Sequence, residues 1–165
     1  MSRSISFPGL NAYMNQIAAL NKNSLDIVKG ATAAGAKIVA DACKAELGGL
    51  PATSNGYAIQ AWIKGEKTVL TVEQKAGLLE SMGLAPIRND GGFINTKLGF
   101  DGYNAVKTTK WPNGQPNALI ARSVNSGSSV VEKDPFMQRV ESGTRKKAEK
   151  AMENYFDDET KKIMK

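Results

Sequence analysis

The stretch Asp134–Lys165 constrains the fold most, because it carries one long amphipathic helical pattern. Apolar or small side chains recur every three or four residues, which lays one stripe along a helix of about eight turns. The Asp134-Pro135 pair is typical of a helix start, since Asp accepts from free first-turn amides and Pro needs no amide partner there. The opposite face is charged, so we expect the stripe to pack on the chain's own helices or sheet. The stripe consists of Phe136, Val140, Thr144, Ala148, Met152, Tyr155, Phe156 and Ile163.

Residues 10–49 are predicted to form the N-terminal helices, two in number, after an arm at residues 1–9. The first helix ends at Asn21-Lys22-Asn23, and Ser24 is the expected N-cap of the second, because short polar side chains satisfy free amides at a helix start. The arm is short and polar with apolar residues alternating at Ile5 and Phe7, so it either adds an edge strand, to this chain or to a neighbour, or stays mobile.

The second of these helices has a narrow middle. Residues 30–36 all have small side chains, which lets another backbone approach closely, either within the chain or in a neighbouring subunit. Gly48-Gly49 then supply a C-cap and a stop before Pro51.

The middle of the chain divides into a helical insert at residues 51–89 and a region of strands and loops at residues 90–130. Within the insert, Thr71 is the expected N-cap of a helix that closes at Gly83. The hydrophobic run at residues 118–124 fits a strand or a short helix. The clearest strand pattern alternates across Ile94, Thr96, Leu98 and Phe100.

The residue types exclude several kinds of active site. The chain has no histidine and one cysteine, Cys43, so a Ser-His or Cys-His pair and an intrachain disulfide are both impossible. Asp157-Asp158-Glu159 point around a helix and do not converge as metal ligands would. Gly91-Gly92 and Gly99–Gly102 lack the spacing of a phosphate-binding loop. We therefore expect no enzyme activity, no catalytic or cofactor-binding residue, no metal and no cofactor.

The chain carries a formal charge of +6, and most of the excess lies before residue 134. Such a surplus favours encounters with polyanions. However, the longest basic run is Arg145-Lys146-Lys147, and Trp62 and Trp111 do not belong to an array of aromatic and basic residues, so a dedicated nucleic-acid reader is not expected. Without a long apolar stretch or a signal-type amino terminus, a reducing, aqueous compartment and no membrane contact are expected.

The order of these patterns resembles the tail-component family of tailed bacteriophages, the neck or tail-completion proteins of long-tailed phages. In that family a hydrophobic segment ends in a Gly-Thr-Ser-like turn, followed by Pro-Phe-Leu-x-Pro and a helix rich in Lys and Glu. Gly127-Ser128-Ser129 and Pro135-Phe136-Met137 match this pattern, although its second proline is absent. Residues 50–56 replace the family's usual linker, and the resemblance covers residues 25–164 without 51–89.

The resemblance implies an α+β fold, with a small, mostly antiparallel β-sheet flanked by long N-terminal and C-terminal α-helices. The length favours a single domain over residues 1–165. The implied function is that of a structural virion protein, a ring subunit at the head-tail junction around the DNA exit channel. The implied partners are other copies in a ring, a hexamer by match to the tail, neighbouring connector and tail proteins, and genomic DNA that passes through without specific binding. The implied location is the virion, and the host cytoplasm during assembly.

Two alternatives stay open. A nucleic-acid-binding accessory protein would explain the basic charge, and it would bind tightly with an affinity that falls steeply with salt. A tail-terminator or tail-tube-associated protein would have a similar composition and a different partner.

Overall fold

The computed structural model describes residues 8–164, with side chains from residue 12 onward. These residues form five α-helices and six short strands, so the expected α+β class is confirmed, with helices making up 62% of the structure. The helices are α1 (Pro8–Gly49), α2 (Asn55–Ile63), α3 (Val72–Ser81), α4 (Asn117–Ser126) and α5 (Phe136–Ile163). The strands are β1 (Ala52–Thr53), β2 (Leu70–Thr71), β3 (Met82–Leu84), β4 (Arg88–Asp90), β5 (Phe93–Asn95) and β6 (Leu98–Phe100).

The amino-terminal part of the chain is one helix, so the prediction of two helices is wrong. No Pro or Gly lies between residues 10 and 29 to break the helix. The presumed capping side chains bond backwards inside the helix: Asn23 Nδ2 donates to the Ala19 carbonyl at 2.8 Å, and Ser24 Oγ donates to the Asn21 carbonyl at 2.8 Å. Of the arm predicted at residues 1–9, the last two residues belong to the first turn of α1, and the others lie outside the described residues.

Helices α1 and α5 form an antiparallel pair, which we call the stalk. Near one end Cys43 Sγ lies 4.0 Å from Met137 Sδ, and further along the side chain of Met152 covers Gly35. A Cβ atom at Gly35 would lie 2.7 Å from Met152 Cγ, so the small residues in the middle of α1 serve close packing within the chain.

The main core lies where the stalk meets the shorter elements, a region we call the head. Phe136 is fully buried there and meets Phe100 edge to face, with ring centroids 6.5 Å apart. The buried cluster draws on α1, β2, α3, α4 and α5, so it joins elements that lie far apart in the sequence. Its members are Cys43, Leu47, Leu50, Leu70, Leu78, Ile120, Ala121, Val124, Phe136 and Val140.

Two local predictions for the middle of the chain can be compared with the structure of the head. Thr71 caps α3 as expected, and it forms a reciprocal capping box with Gln74. The run at residues 118–124 is helical, because Ile120, Ala121 and Val124 then share one face that packs into the core. The region predicted to hold only strands and loops therefore also contains α4.

The strands form three two-stranded pairs. The alternating stretch from Ile94 to Phe100 is not one strand, because β5 pairs with β4 whereas β6 pairs with β3. Between the two strands, Thr96 Oγ1 donates to the Ala85 carbonyl at 2.6 Å and interrupts the alternation. The result is one interrupted antiparallel ribbon over residues 82–100, while β1 and β2 form a short parallel pair.

Helix α5 begins at Phe136, and the prediction that Asp134 is its N-cap is wrong. The N-cap position is taken by Pro135, and the Met137 amide donates to Asn125 Oδ1 of α4 at 3.1 Å. Asp134 Oδ1 instead lies 2.7 Å from Arg139 Nη1, and Arg139 Nε donates to Glu46 Oε2 at 2.8 Å. The hydrogen bond to Glu46, together with the nearby Asp134, raises the pKa of Arg139 and ties α5 to α1.

Candidate assembly surfaces

Helix α1 carries an apolar arc that is wider than the part covered by α5. Successive residues turn by about 100° around a helix. Ile27, Ala31 and Gly35 face α5 and are buried, whereas Ile17 and Val28 lie beside them and stay exposed. Ile17 is 45% exposed although its side chain is wholly apolar. The arc continues the buried face, and no part of the chain that the structure describes covers it.

This uncovered arc and the end of α5 enclose a concave surface, which we call the stalk groove. Its main part has a volume of about 670 Å³, and a second part continues past Phe156 toward Met152. Only the first half of the stripe predicted along α5 is buried, because no described residue covers one side of its last members. The groove is lined by Met14, Ile17, Ala18, Leu20, Asn21, Ser24, Ile27, Val28, Ala31, Met152, Glu153, Phe156 and Asp157.

The charged residues that line the stalk groove all lie on its α5 side. No charged residue occurs in residues 8–21, so the α1 wall of the main part is neutral. On the α5 side, Glu153 and Asp157 are four residues apart and share a face. Lys150 Nζ lies 3.1 Å from Glu153 Oε2, whereas Asp157 has no ion pair within the part of the chain that the structure describes. The groove is therefore apolar with an acidic rim.

A convex apolar surface lies at the head, on the short helix α2. Ala61 is the buried residue of this helix, and Ile59, Trp62 and Ile63 are 58%, 66% and 72% exposed. These three side chains form one contiguous arc at helical spacing, which we call the α2 knob. The knob is followed by three exposed charged residues, Lys64, Glu66 and Lys67, two of them positive and one negative.

A row of lysines follows the outer face of α1. Their spacing of seven or eight residues keeps them on one side of the helix, opposite the apolar arc. Asp26 and Asp41 lie between them on the same side, and Asp26 Oδ1 is 3.9 Å from the Lys29 amine. The lysine row consists of Lys22, Lys29, Lys37 and Lys44.

The side chains that the sequence analysis weighed as possible nucleophiles or metal ligands do not come together in the part of the chain that the structure describes. Cys43 is buried, and burial, with the nearby Glu46, raises the pKa of its thiol. Glu159 Oε1 pairs with Lys162 Nζ at 2.6 Å. Within residues 8–164 we find no cluster of three or more His, Cys, Asp or Glu side chains that could hold a metal ion.

The two tryptophans occupy different settings. Trp111 is half-buried, with Lys110 Nζ 5.8 Å from its ring centroid, as a packed loop residue would be. Trp62 belongs to the α2 knob and is exposed. Sequence reasoning missed the knob, and the available signal was the concentration of large apolar residues in a helix of only nine residues.

No helix in the described residues is both long and apolar enough to cross a membrane. Comparisons with protein-family models, with curated proteins and with solved structures gave no match.

Proposed function

We propose that this chain is a structural subunit of a tailed bacteriophage, which assembles into a ring at the head-tail junction around the DNA exit channel. One observation carries the proposal: among the residues that the structure describes, large apolar side chains are exposed on two separate surfaces, the stalk groove and the α2 knob. Contiguous exposed apolar patches of this kind are rare on monomers and typical of interfaces. A subunit that works by assembly needs such surfaces and no catalytic group.

The phage setting is supported by the sequence motifs at residues 127–129 and 135–137. Both motifs lie next to the start of α5, where Asn125 of α4 caps the helix and Phe136 enters the core. Phe136 of the second motif therefore belongs to the packed centre of the molecule, whereas residues 127–129 are partly exposed in the turn after α4. The six-fold ring, the location in the virion and the presence in host cytoplasm during assembly are proposed on the same resemblance.

The lysine row on α1 supports the proposal that the ring surrounds a channel through which DNA passes. Its four positive charges are interrupted by Asp26 and Asp41, so the face is weakly positive and not a dense basic patch. Such a surface attracts a polyanion without holding it tightly. We propose that this face of α1 is turned toward the channel.

The proposal is tested by a phage that carries an early stop codon in this gene. We expect electron micrographs of the lysate to show full heads beside free tails, with few infectious particles, because DNA packaging and tail polymerisation do not need the ring. A plasmid copy of the gene should restore joined, infectious particles. Empty heads alone, or an absence of tails, would contradict the proposal.

Two other candidate functions predict different outcomes. The lysine row also suits a nucleic-acid-binding accessory protein, whose loss would leave joined particles in the lysate. A tail-terminator or tail-tube-associated protein would instead leave tails of irregular length. The same micrographs therefore separate the three functions.

A further inference from the structure

The two uncovered apolar surfaces differ in shape and in charge. The stalk groove is concave and has an acidic rim at Glu153 and Asp157. The α2 knob is convex and is followed by Lys64, Glu66 and Lys67, which leave an excess of one positive charge. Opposite charges around matching apolar surfaces favour the correct encounter and suppress wrong ones. The groove and the knob are therefore complementary in shape and in charge.

One copy of the chain cannot join its own knob to its own groove in this fold. The knob lies at the head, in the helix that follows Leu50 and β1, whereas the groove extends along α1 around Ile27. With a rise of about 1.5 Å per residue, these two points of α1 are roughly 35 Å apart. Helix α2 itself is only about 14 Å long by the same measure. The knob of the same copy therefore cannot fill the groove.

A second copy of this chain fits better than the other occupants. Two grooves facing each other would bring the acidic rims together, which is unfavourable because like charges repel. An anionic membrane surface or a nucleic acid would call for a basic lining, and the groove has none. The knob of a second copy brings an apolar helical face and an excess of one positive charge from Lys64, Glu66 and Lys67.

We propose that the α2 knob of one copy docks in the stalk groove of the next copy. Because the two faces differ, the contact is heterologous, and its repetition generates a closed ring when the rotation between copies permits closure. The inference rests on the proposed function in one respect, namely that the chain assembles with its own copies.

The contact is tested by cysteine trapping between two variants. One variant carries Ile17→Cys in the groove and the other carries Ile63→Cys in the knob, and both positions are exposed. The native Cys43 is buried, so it does not compete. With oxidised glutathione as the oxidant, we expect a disulfide-linked heterodimer in the mixture of the two variants. Intact mass and peptide mapping identify it.

The matched control is Phe93→Cys at the tip of the ribbon, which is 71% exposed and belongs to neither surface. Mixed with the groove variant, it should form the heterodimer on the order of tenfold more slowly, because it lacks the raised effective concentration of a docked pair. Equal rates for the knob and control cysteines would overturn the proposal.

Charge reversal tests the polar part of the contact. Lys64→Glu with Lys67→Glu in the knob variant should slow the trapping, and Glu153→Lys with Asp157→Lys in the groove variant should restore it. All four positions are exposed, so the fold should tolerate the changes. If neither set of charge reversals changes the trapping rate, the proposed charge pairing is contradicted.

The trapping result and the phage result are independent. If the two cysteines are trapped but the phage lysate is normal, the knob-in-groove contact is supported and the role at the head-tail junction is rejected. A joining defect without trapping would keep the junction and reject this contact.

Discussion

At the residue scale, Phe136 links the parts of the head. It is fully buried, its ring meets Phe100 of the ribbon edge to face, and its backbone opens α5. The same residue is the second position of the Pro135-Phe136-Met137 motif. The motif is therefore explained by packing, because an aromatic ring at this position joins the ribbon to the two long helices.

We expect Phe136→Ala to lower the free energy of unfolding by about 3–4 kcal/mol, because it leaves a cavity in the core. Phe136→Leu keeps most of the volume and should cost less than about 1.5 kcal/mol. Denaturant unfolding followed by circular dichroism measures both. Phe93→Ala, at an exposed aromatic residue, is the control and should change stability by no more than about 0.5 kcal/mol. Equal losses at the two sites would show that Phe136 does not anchor the core.

At the scale of elements, α1 has two parts with different support. From Ala31 to Leu47 it is covered by α5 and the head, whereas from residue 12 to Leu25 most of its side chains are exposed. Isolated helices shorter than about 12–15 residues are marginal in water. The amino-terminal turns of α1 should therefore contribute little to global stability and should gain support when a partner occupies the stalk groove.

Proline substitutions separate the two parts of α1. Proline inside a helix costs about 3 kcal/mol or more. We expect Ala45→Pro, between the buried Cys43 and Leu47, to lower the unfolding midpoint strongly, because the break falls in the core. Ala18→Pro should leave the midpoint nearly unchanged and abolish trapping at Ile17, since only the uncovered turns are lost.

Thermal unfolding of both variants, with Ala18→Ser as the mild change at the same site, measures this difference. A large loss of stability from Ala18→Pro would mean that the amino-terminal turns are part of the main cooperative unit. That outcome would argue against the proposal that the amino-terminal turns of α1 form a binding surface for a second copy.

At the scale of the whole molecule, the charge distribution predicts weak binding to DNA. The net charge is +6, but the lysine row on α1 alternates with acidic residues and the rim of the stalk groove is negative. A mixed surface of this kind attracts duplex DNA at long range and holds it loosely.

We expect the isolated chain to bind duplex DNA without sequence preference, with a Kd of about 10⁻⁴ to 10⁻⁶ M that weakens steeply with salt. Replacing the four lysines of the row by Gln should reduce the slope of log K against log salt, because fewer counterions are released. Replacing Lys64, Lys97, Lys107 and Lys110 instead is the charge-matched control. Anisotropy titrations at several salt concentrations measure the slopes, and nanomolar, sequence-selective binding would favour the accessory-protein function.

The sequence alone determined the features that depend on neighbouring residues. The Thr71 cap, the end of α1 at Gly49 and the amphipathic character of α5 follow from hydrogen bonds and periodicity within a few turns. The absence of histidine and the single cysteine excluded two classes of active site without any structure.

The tertiary structure decided what depends on distant partners. Asn125 of α4 replaced Asp134 as the group that caps α5, and packing of Ile120 and Val124 made residues 118–124 a helix. The sequence showed that Ile17, Trp62 and Phe156 are apolar, but their exposure depends on where α5 ends and on how little of α2 the head covers. A residue's burial is a property of the elements packed against it, so the stalk groove and the α2 knob could be found only after those elements were in place.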